Sequence, residues 1–197
     1  MSDSSTALRA RQAPLKESYK STPASALVTL SSVGSIDASS SISCSLSSGP
    51  AIASAKAKVA GLHPAAGGSD PEISGELCSG DMLLEALVAC SGVTLKAVAT
   101  ALSIPIKTGT VRAEGDLDFR GTLGVDRDAP VGFKEIRLGF EVEIDEGDER
   151  SKDVDAAKLE KLGKLTERYC VVLQTIVKKP EVRVSLKGAG SEWSQTS

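Results

Sequence analysis

The stretch Asp81-Met82-Leu83-Leu84-Glu85-Ala86-Leu87-Val88-Ala89-Cys90-Ser91-Gly92-Val93-Thr94-Leu95-Lys96-Ala97-Val98-Ala99-Thr100-Ala101-Leu102-Ser103-Ile104 is the most apolar run of the chain, and Pro105 closes it. Leu83, Leu87, Cys90, Thr94, Ala97 and Ala101 recur at steps of three and four and so share one helix face. Leu84, Val88, Leu95 and Val98 cover much of the remainder. A helix apolar on most sides is expected at the centre of its fold, with Ser79 or Asp81 as its N-cap.

Elements on either side of this helix set the fold class. Apolar residues alternate over Ala26 to Leu30 and Ile42 to Leu46, which reads as a hairpin turning through residues 34–41. A short Ala/Lys-rich run after Pro50 has helical composition. Residues 61–80 are rich in Gly, Pro and Ser, a stretch that fits a functional loop or an insert. Downstream, two longer strands are expected near residues 110–120 and 133–145. In the second, Ile136, Leu138, Phe140, Val142 and Ile144 point inward, and Glu135, Arg137, Glu141 and Glu143 outward. Ala156, Leu159, Leu162, Thr166, Tyr169, Leu173 and Val177 mark a second amphipathic helix starting near Asp153 or Asp155. Val182, Val184 and Leu186 suggest a closing strand.

This order predicts an α+β fold with antiparallel sheets packed on two main helices, the first of them buried. With 197 residues, one domain is expected, over residues 25–189, between a flexible arm at 1–24 and a tail at 190–197.

Composition excludes several classes. Lys and Arg total 23 against 26 Asp and Glu, a formal charge of -3, so nothing favours phosphate-rich partners. Aromatic residues make up 3%, too few for a base-stacking platform. No signal-peptide pattern and no bilayer-spanning run of about 18 apolar residues is read, so neither nucleic acid nor membrane is an expected partner and a cytoplasmic location is. In such a reducing compartment the four cysteines, Cys44, Cys78, Cys90 and Cys170, suit a reaction cycle better than structural staples. Phosphate-binding loops, nucleophile elbows and paired-histidine metal motifs are missing.

Cys90 and Cys170 lie on the two main helices among apolar neighbours, where a free cysteine is often simply packed. The local wording says more. The run from Ser79 to Leu95 resembles the central-helix motif of the OsmC/Ohr family, Leu-Leu-x-Ala-Leu-x-x-Cys, which carries a peroxidatic cysteine. Thr166-Glu167-Arg168-Tyr169-Cys170-Val171-Val172-Leu173-Gln174-Thr175 resembles that family's Glu-Arg-x-Cys-Pro-Val-x-Gln-Thr motif around the resolving cysteine. The resemblance runs roughly from Leu27 to Leu186.

The resemblance implies an intertwined homodimer and a thiol peroxidase that reduces organic or lipid hydroperoxides to alcohols. Cys90 is then the attacking thiolate and Cys170 its resolving partner, with an external dithiol as reductant and no bound cofactor or metal. Such chemistry needs a depressed thiol pKa and a second thiol within reach of the sulfenate. The family's activating Arg has no counterpart, since no Arg lies between Arg11 and Arg112. Lys16, Lys20, Lys56, Lys58, Arg112 or Arg168 are the available cations. Asp81 stands where the family's orienting acid falls, or caps the helix. Val171 replaces the Pro after the resolving cysteine, leaving the helix break there absent or moved.

Cys78 is either an alternative resolving thiol or a loop residue packed in place. His63, the only histidine, is either a proton donor to the leaving alkoxide or a loop residue bonded to backbone. Two readings compete with the peroxidase. One is a non-catalytic small-molecule binding protein; the other is a structural zinc site of His63, Cys78, Cys90 and Cys170, although no two of these have the close spacing such sites usually show.

Overall fold

The computed structural model describes Ser21, residues 32–35, 44–48 and 58–61, His63, and residues 77–123 and 126–197. Strands β1 (Ser32–Ser35), β2 (Cys44–Ser48), β3 (Lys58–Gly61) and β4 (Leu77–Cys78) form one sheet in that order. The first three are antiparallel, and β3 and β4 run parallel, so this sheet is mixed rather than purely antiparallel. Helix α1 (Ser79–Ala101) follows at once. Strands β5 (Ile106–Asp116) and β6 (Glu135–Ile144) form a second, antiparallel sheet, with the short helix α2 (Phe119–Thr122) in their connection. After a 3-10 turn at Glu149–Asp153 come α3 (Ala156–Tyr169), α4 (Val171–Lys178) and a hairpin of β7 (Arg183–Gly188) and β8 (Ser191–Thr196).

Strand β6 obeys its period of two: Ile136, Leu138, Phe140, Val142 and Ile144 are half-buried, and Glu135, Arg137, Glu141 and Glu143 are exposed. Phe140, Val142 and Ile144 pack beneath α1 on a core of Leu95, Ala99, Ile104 and Leu162, which α3 closes from the other side. Burying each large aliphatic side chain here contributes about 1.5–3 kcal/mol. Gly92 faces β5, where an added Cβ would meet Val111 Cγ2 at an ordinary contact distance of 3.5 Å.

Several expectations need correction. Helix α1 begins at Ser79 with Cys78 as N-cap and no side-chain cap bond, so neither Ser79 nor Asp81 caps it. Asp81 lies in the first turn, where its charge still suits the helix dipole. The fully buried stripe is Leu87, Ser91, Leu95 and Ala99, one residue in four, rather than most of the circumference. Leu83 and Val93 remain 40% and 72% exposed, so the chain's own elements cover α1 only in part. Helix α1 is also long and apolar enough to cross a membrane by length and composition, against the expectation of no such run. Its buried stripe packs against β5 and α3, and the rest of the apolar surface is left open by the described residues.

The first strand of the N-terminal hairpin is seen at residues 32–35, while Ala26 to Leu30, the arm at 1–24 apart from Ser21, and residues 51–57 lie outside the described residues. Residues 190–197, expected as a tail, instead form β8 against β7. Leu186 pairs with Trp193 across this hairpin, and among the described residues no other element makes substantial contact with it.

Candidate active site

Cys170 sits within the span marked as one amphipathic helix from Ala156 to Val177, where the break was expected to be absent or moved. Its backbone leaves the helical region (φ −72°, ψ 108°), so it is at once the C-cap of α3 and the N-cap of α4. The break therefore survives without the proline, and its location is Cys170 itself. At a helix N-terminus the first amides have no partner within the helix. Here those of Val171 and Val172 lower the pKa of the Cys90 thiol, which α1 presents from mid-helix.

Cys170 is fully buried and Cys90 half-buried, and the two thiols are close enough to shift one another's acidity. Burial is the largest single influence on Cys90 and opposes its anion. It is outweighed by the Val172 amide, the Cys170 thiol, the Val171 amide and the Thr94 hydroxyl, so the Cys90 pKa lies below that of an ordinary thiol. Burial pushes the Cys170 thiol up; the Leu173 and Val172 amides offset this in part, and the neighbouring Cys90 adds to the rise as acceptor and as charge. The asymmetry separates the two groups: one thiol ionises readily, and the other keeps its proton and donates it to the first.

Thr94 is one turn beyond Cys90, and its Oγ1 donates its single hydrogen to the Cys90 carbonyl at 2.8 Å, so its effect on the sulfur is the smallest of those that lower the Cys90 pKa. Its place on the Cys90 face is legible from the i, i+4 spacing, but its effect on the sulfur was not anticipated. The backbone amides leave no residue signature at all.

The proposed supporting residues fall elsewhere. Arg168 is exposed and lies over the Tyr169 ring, its guanidinium carbon 5.7 Å from the centroid. Arg112 pairs with Glu114 at 3.8 Å on the exposed face of β5. Lys16, Lys20 and Lys56 lie outside the described residues, and Lys58 is in β3.

His63, Cys78 and Asp81 do converge, but around a different cavity of about 140 Å³ at the start of α1, walled by Leu117, Phe119 and Phe133. The His63 ring stacks on Phe119 with centroids 5.0 Å apart. Cys78 precedes Cys90 by twelve helical residues, hence by about 18 Å along the axis at 1.5 Å per residue. Within one chain, Cys78 is thus out of reach of the Cys90 sulfenate, and the four-ligand zinc set is not assembled. Among the described residues no group of three or more His, Cys, Asp or Glu is placed to hold a metal ion.

The family model for OsmC-like protein matches residues 72–186, more than half of the chain and inclusive of both thiols. The chain belongs to the OsmC-like family. Its fold is similar to that of an OsmC-like protein of unknown function from Vibrio cholerae, at 12% identity and a TM-score of 0.57, covering 76% of this chain and 94% of that one. It is also similar to an OsmC-like protein from Mycoplasma pneumoniae, at 15% identity and a TM-score of 0.54, covering 76% and 88%. A hypothetical protein from Aquifex aeolicus aligns at 17% identity and a TM-score of 0.50, covering 77% and 89%. No curated protein matches the sequence. These OsmC-like structures share the α+β fold, and the family includes peroxidases.

Proposed function

We propose that the protein is a thiol peroxidase that reduces organic or lipid hydroperoxides to alcohols. The observation that carries this reading is the placing of Cys90, mid-helix in α1, beside Cys170 at the α3–α4 break, with acidities shifted in opposite directions. The Cys90 thiolate attacks the distal oxygen of the peroxide; the O–O bond breaks, sulfur is oxidised to the sulfenic acid, and the alkoxide leaves as the alcohol on taking one proton. Cys170 then attacks the sulfenic sulfur, forming the Cys90–Cys170 disulfide and releasing water. An external dithiol reduces that disulfide by two successive exchanges.

Features of the site support the substrate class. Around Cys90, α1 carries Ala86, Ala89 and Val93 on its exposed side, and α4 begins with the exposed Val171. An apolar surface of this kind favours bulky organic peroxides over hydrogen peroxide. No lysine or arginine is needed beside the thiol if the amides of α4 supply the stabilisation. A reducing intracellular compartment would keep the pair charged with electrons between turnovers.

The active assembly is proposed to be a homodimer. Val184, Leu186 and Trp193 lie on one face of the β7–β8 hairpin and are about half or more exposed, as are Val93, Val171 and Val177. A lone two-stranded hairpin is marginal in water, so its apolar face calls for a cover, and a second copy of the chain is the occupant the family resemblance implies.

The test is titration of the reduced protein with one equivalent of cumene hydroperoxide, followed by disulfide mapping under non-reducing conditions. A Cys90–Cys170 bond that is lost in Cys90→Ser and Cys170→Ser, with Cys90 over-oxidised in the latter, is expected. Thiols that stay reduced under excess peroxide refute the peroxidase and turn attention to the binding-protein alternative.

A further inference from the structure

Breaking a helix at Cys170 leaves an account of backbone groups to settle. In an unbroken helix Val171, Val172 and Leu173 N–H would bond the carbonyls of Glu167, Arg168 and Tyr169 in turn. On either side of this gap the regular pattern holds: Cys170 N–H bonds Thr166 O at 3.0 Å, and Gln174 N–H bonds Cys170 O at 2.9 Å. Three amides and three carbonyls are therefore released together. The amides serve the two sulfurs. The carbonyls of Arg168 and Tyr169 belong to exposed residues at the end of α3. That of Glu167 has a protein donor: Gln174 Nε2, seven residues on, at 2.9 Å.

We propose that Gln174 is a positioning residue for the Cys90 site: its side-chain amide occupies the Glu167 carbonyl that the Val171 amide would otherwise claim, and so holds the amides of Val171 and Val172 toward Cys90. The alternative state is close at hand. Val171, Val172 and Leu173 are neither glycine nor proline, and the same residues can join α3 and α4 into one helix with a complete set of internal bonds. In that state the donors withdraw from Cys90. Gln174 removes the first bond of the competing ladder and at the same time ties α4 back onto α3 across the break. Its N–H touches no sulfur, so its effect runs through the backbone amides alone.

This inference rests on the Cys90 site described above, but its readout does not require peroxide turnover. The alkylation rate of Cys90 by iodoacetamide, followed by mass spectrometry across pH, reports the titration of that thiol. In Gln174→Met, which keeps length and loses the donor, the midpoint is expected to move upward and the rate at neutral pH to fall about tenfold, equivalent to one pKa unit. Gln174→Ala is the second variant, should the first fail to fold by circular dichroism, and the same shift is expected. A merely structural role would lower the melting temperature and leave the midpoint where it was. An unchanged midpoint in a folded variant overturns the positioning role, even if the wild type turns over cumene hydroperoxide. A shifted midpoint sustains it even if the wild type leaves peroxide untouched, in which case only the peroxidase reading falls.

Discussion

Cys170 and Cys90 shift each other in opposite directions: the Cys170 thiol lowers the pKa of Cys90, and Cys90 raises that of Cys170. Burial disfavours both anions, yet only Cys90 collects enough donors to overcome it. A lowered pKa means that the thiolate is present at lower pH than usual. The alkylation rate of Cys90 should therefore rise with pH through a midpoint below the value of about 8.5 for a free thiol, then level off. Cys170→Ala removes one donor and should move that midpoint upward, whereas Cys170→Ser keeps an O–H and should move it less. Equal midpoints in all three proteins would dissociate the acidity of Cys90 from its neighbour.

Thr94 sits one turn along from Cys90 on the same helix, its hydroxyl bonded to the Cys90 carbonyl, and is the smallest of the influences that lower the Cys90 pKa. Thr94→Val preserves shape and removes the hydroxyl. The Cys90 pKa should rise and its reactivity at neutral pH fall, by less than the roughly tenfold that one pKa unit represents. Thr94→Ser should retain most of it. The same alkylation assay with iodoacetamide, run on the three proteins at fixed pH, decides the matter.

What was legible in the sequence, and what was not, divides along physical lines. The alternation of β6 and the apolar run around Cys90 are periodic, and a period survives translation into structure because side-chain direction follows backbone geometry. The pairing of Cys90 with Cys170 came through resemblance, not periodicity. The break at Cys170 has no proline or glycine to announce it, and the amides of Val171 and Val172 that it exposes are the same groups every residue carries. His63, Cys78 and Asp81 gather because β3 pairs in parallel with β4, a non-local contact that no local pattern encodes. The cover on α1 was overestimated for a related reason: a hydrophobic pattern tells that a face is to be buried, not which chain buries it.

Two glycines should respond in opposite ways to alanine. At Gly121 an added Cβ would stand 2.5 Å from Pro130 O and 2.6 Å from Ala129 O, backbone atoms that cannot step aside singly. Gly121→Ala should cost about 1–3 kcal/mol through the shift it forces. Gly163, in the middle of α3, faces open space, and Gly163→Ala should gain about 0.5–1 kcal/mol by restricting the unfolded chain. Chemical denaturation with unchanged slope reads both; a stabilised Gly121→Ala or a destabilised Gly163→Ala would contradict the packing described.

The β7–β8 hairpin gives the sharpest test of the dimer. Leu186 and Trp193 face each other across the strands, 69% and 52% exposed, with Val184 beside Leu186 on the same face. On the opposite face Lys187 pairs with Glu192 at 3.3 Å, so the hairpin already has a side suited to water. An apolar side left in water would forfeit about 25 cal/mol for each Å² it fails to bury, and among the described residues no other element makes substantial contact with it. Placing a carboxylate in that face opposes burial directly, because an unpaired charge cannot be carried into an apolar contact cheaply. Trp193→Glu should therefore reduce the mass measured by light scattering from two chains to one at micromolar concentration, while Glu192→Lys, on the wet side, should leave it at two. A Trp193→Glu protein that remains dimeric would place the interface elsewhere, on the exposed side of α1 around Val93.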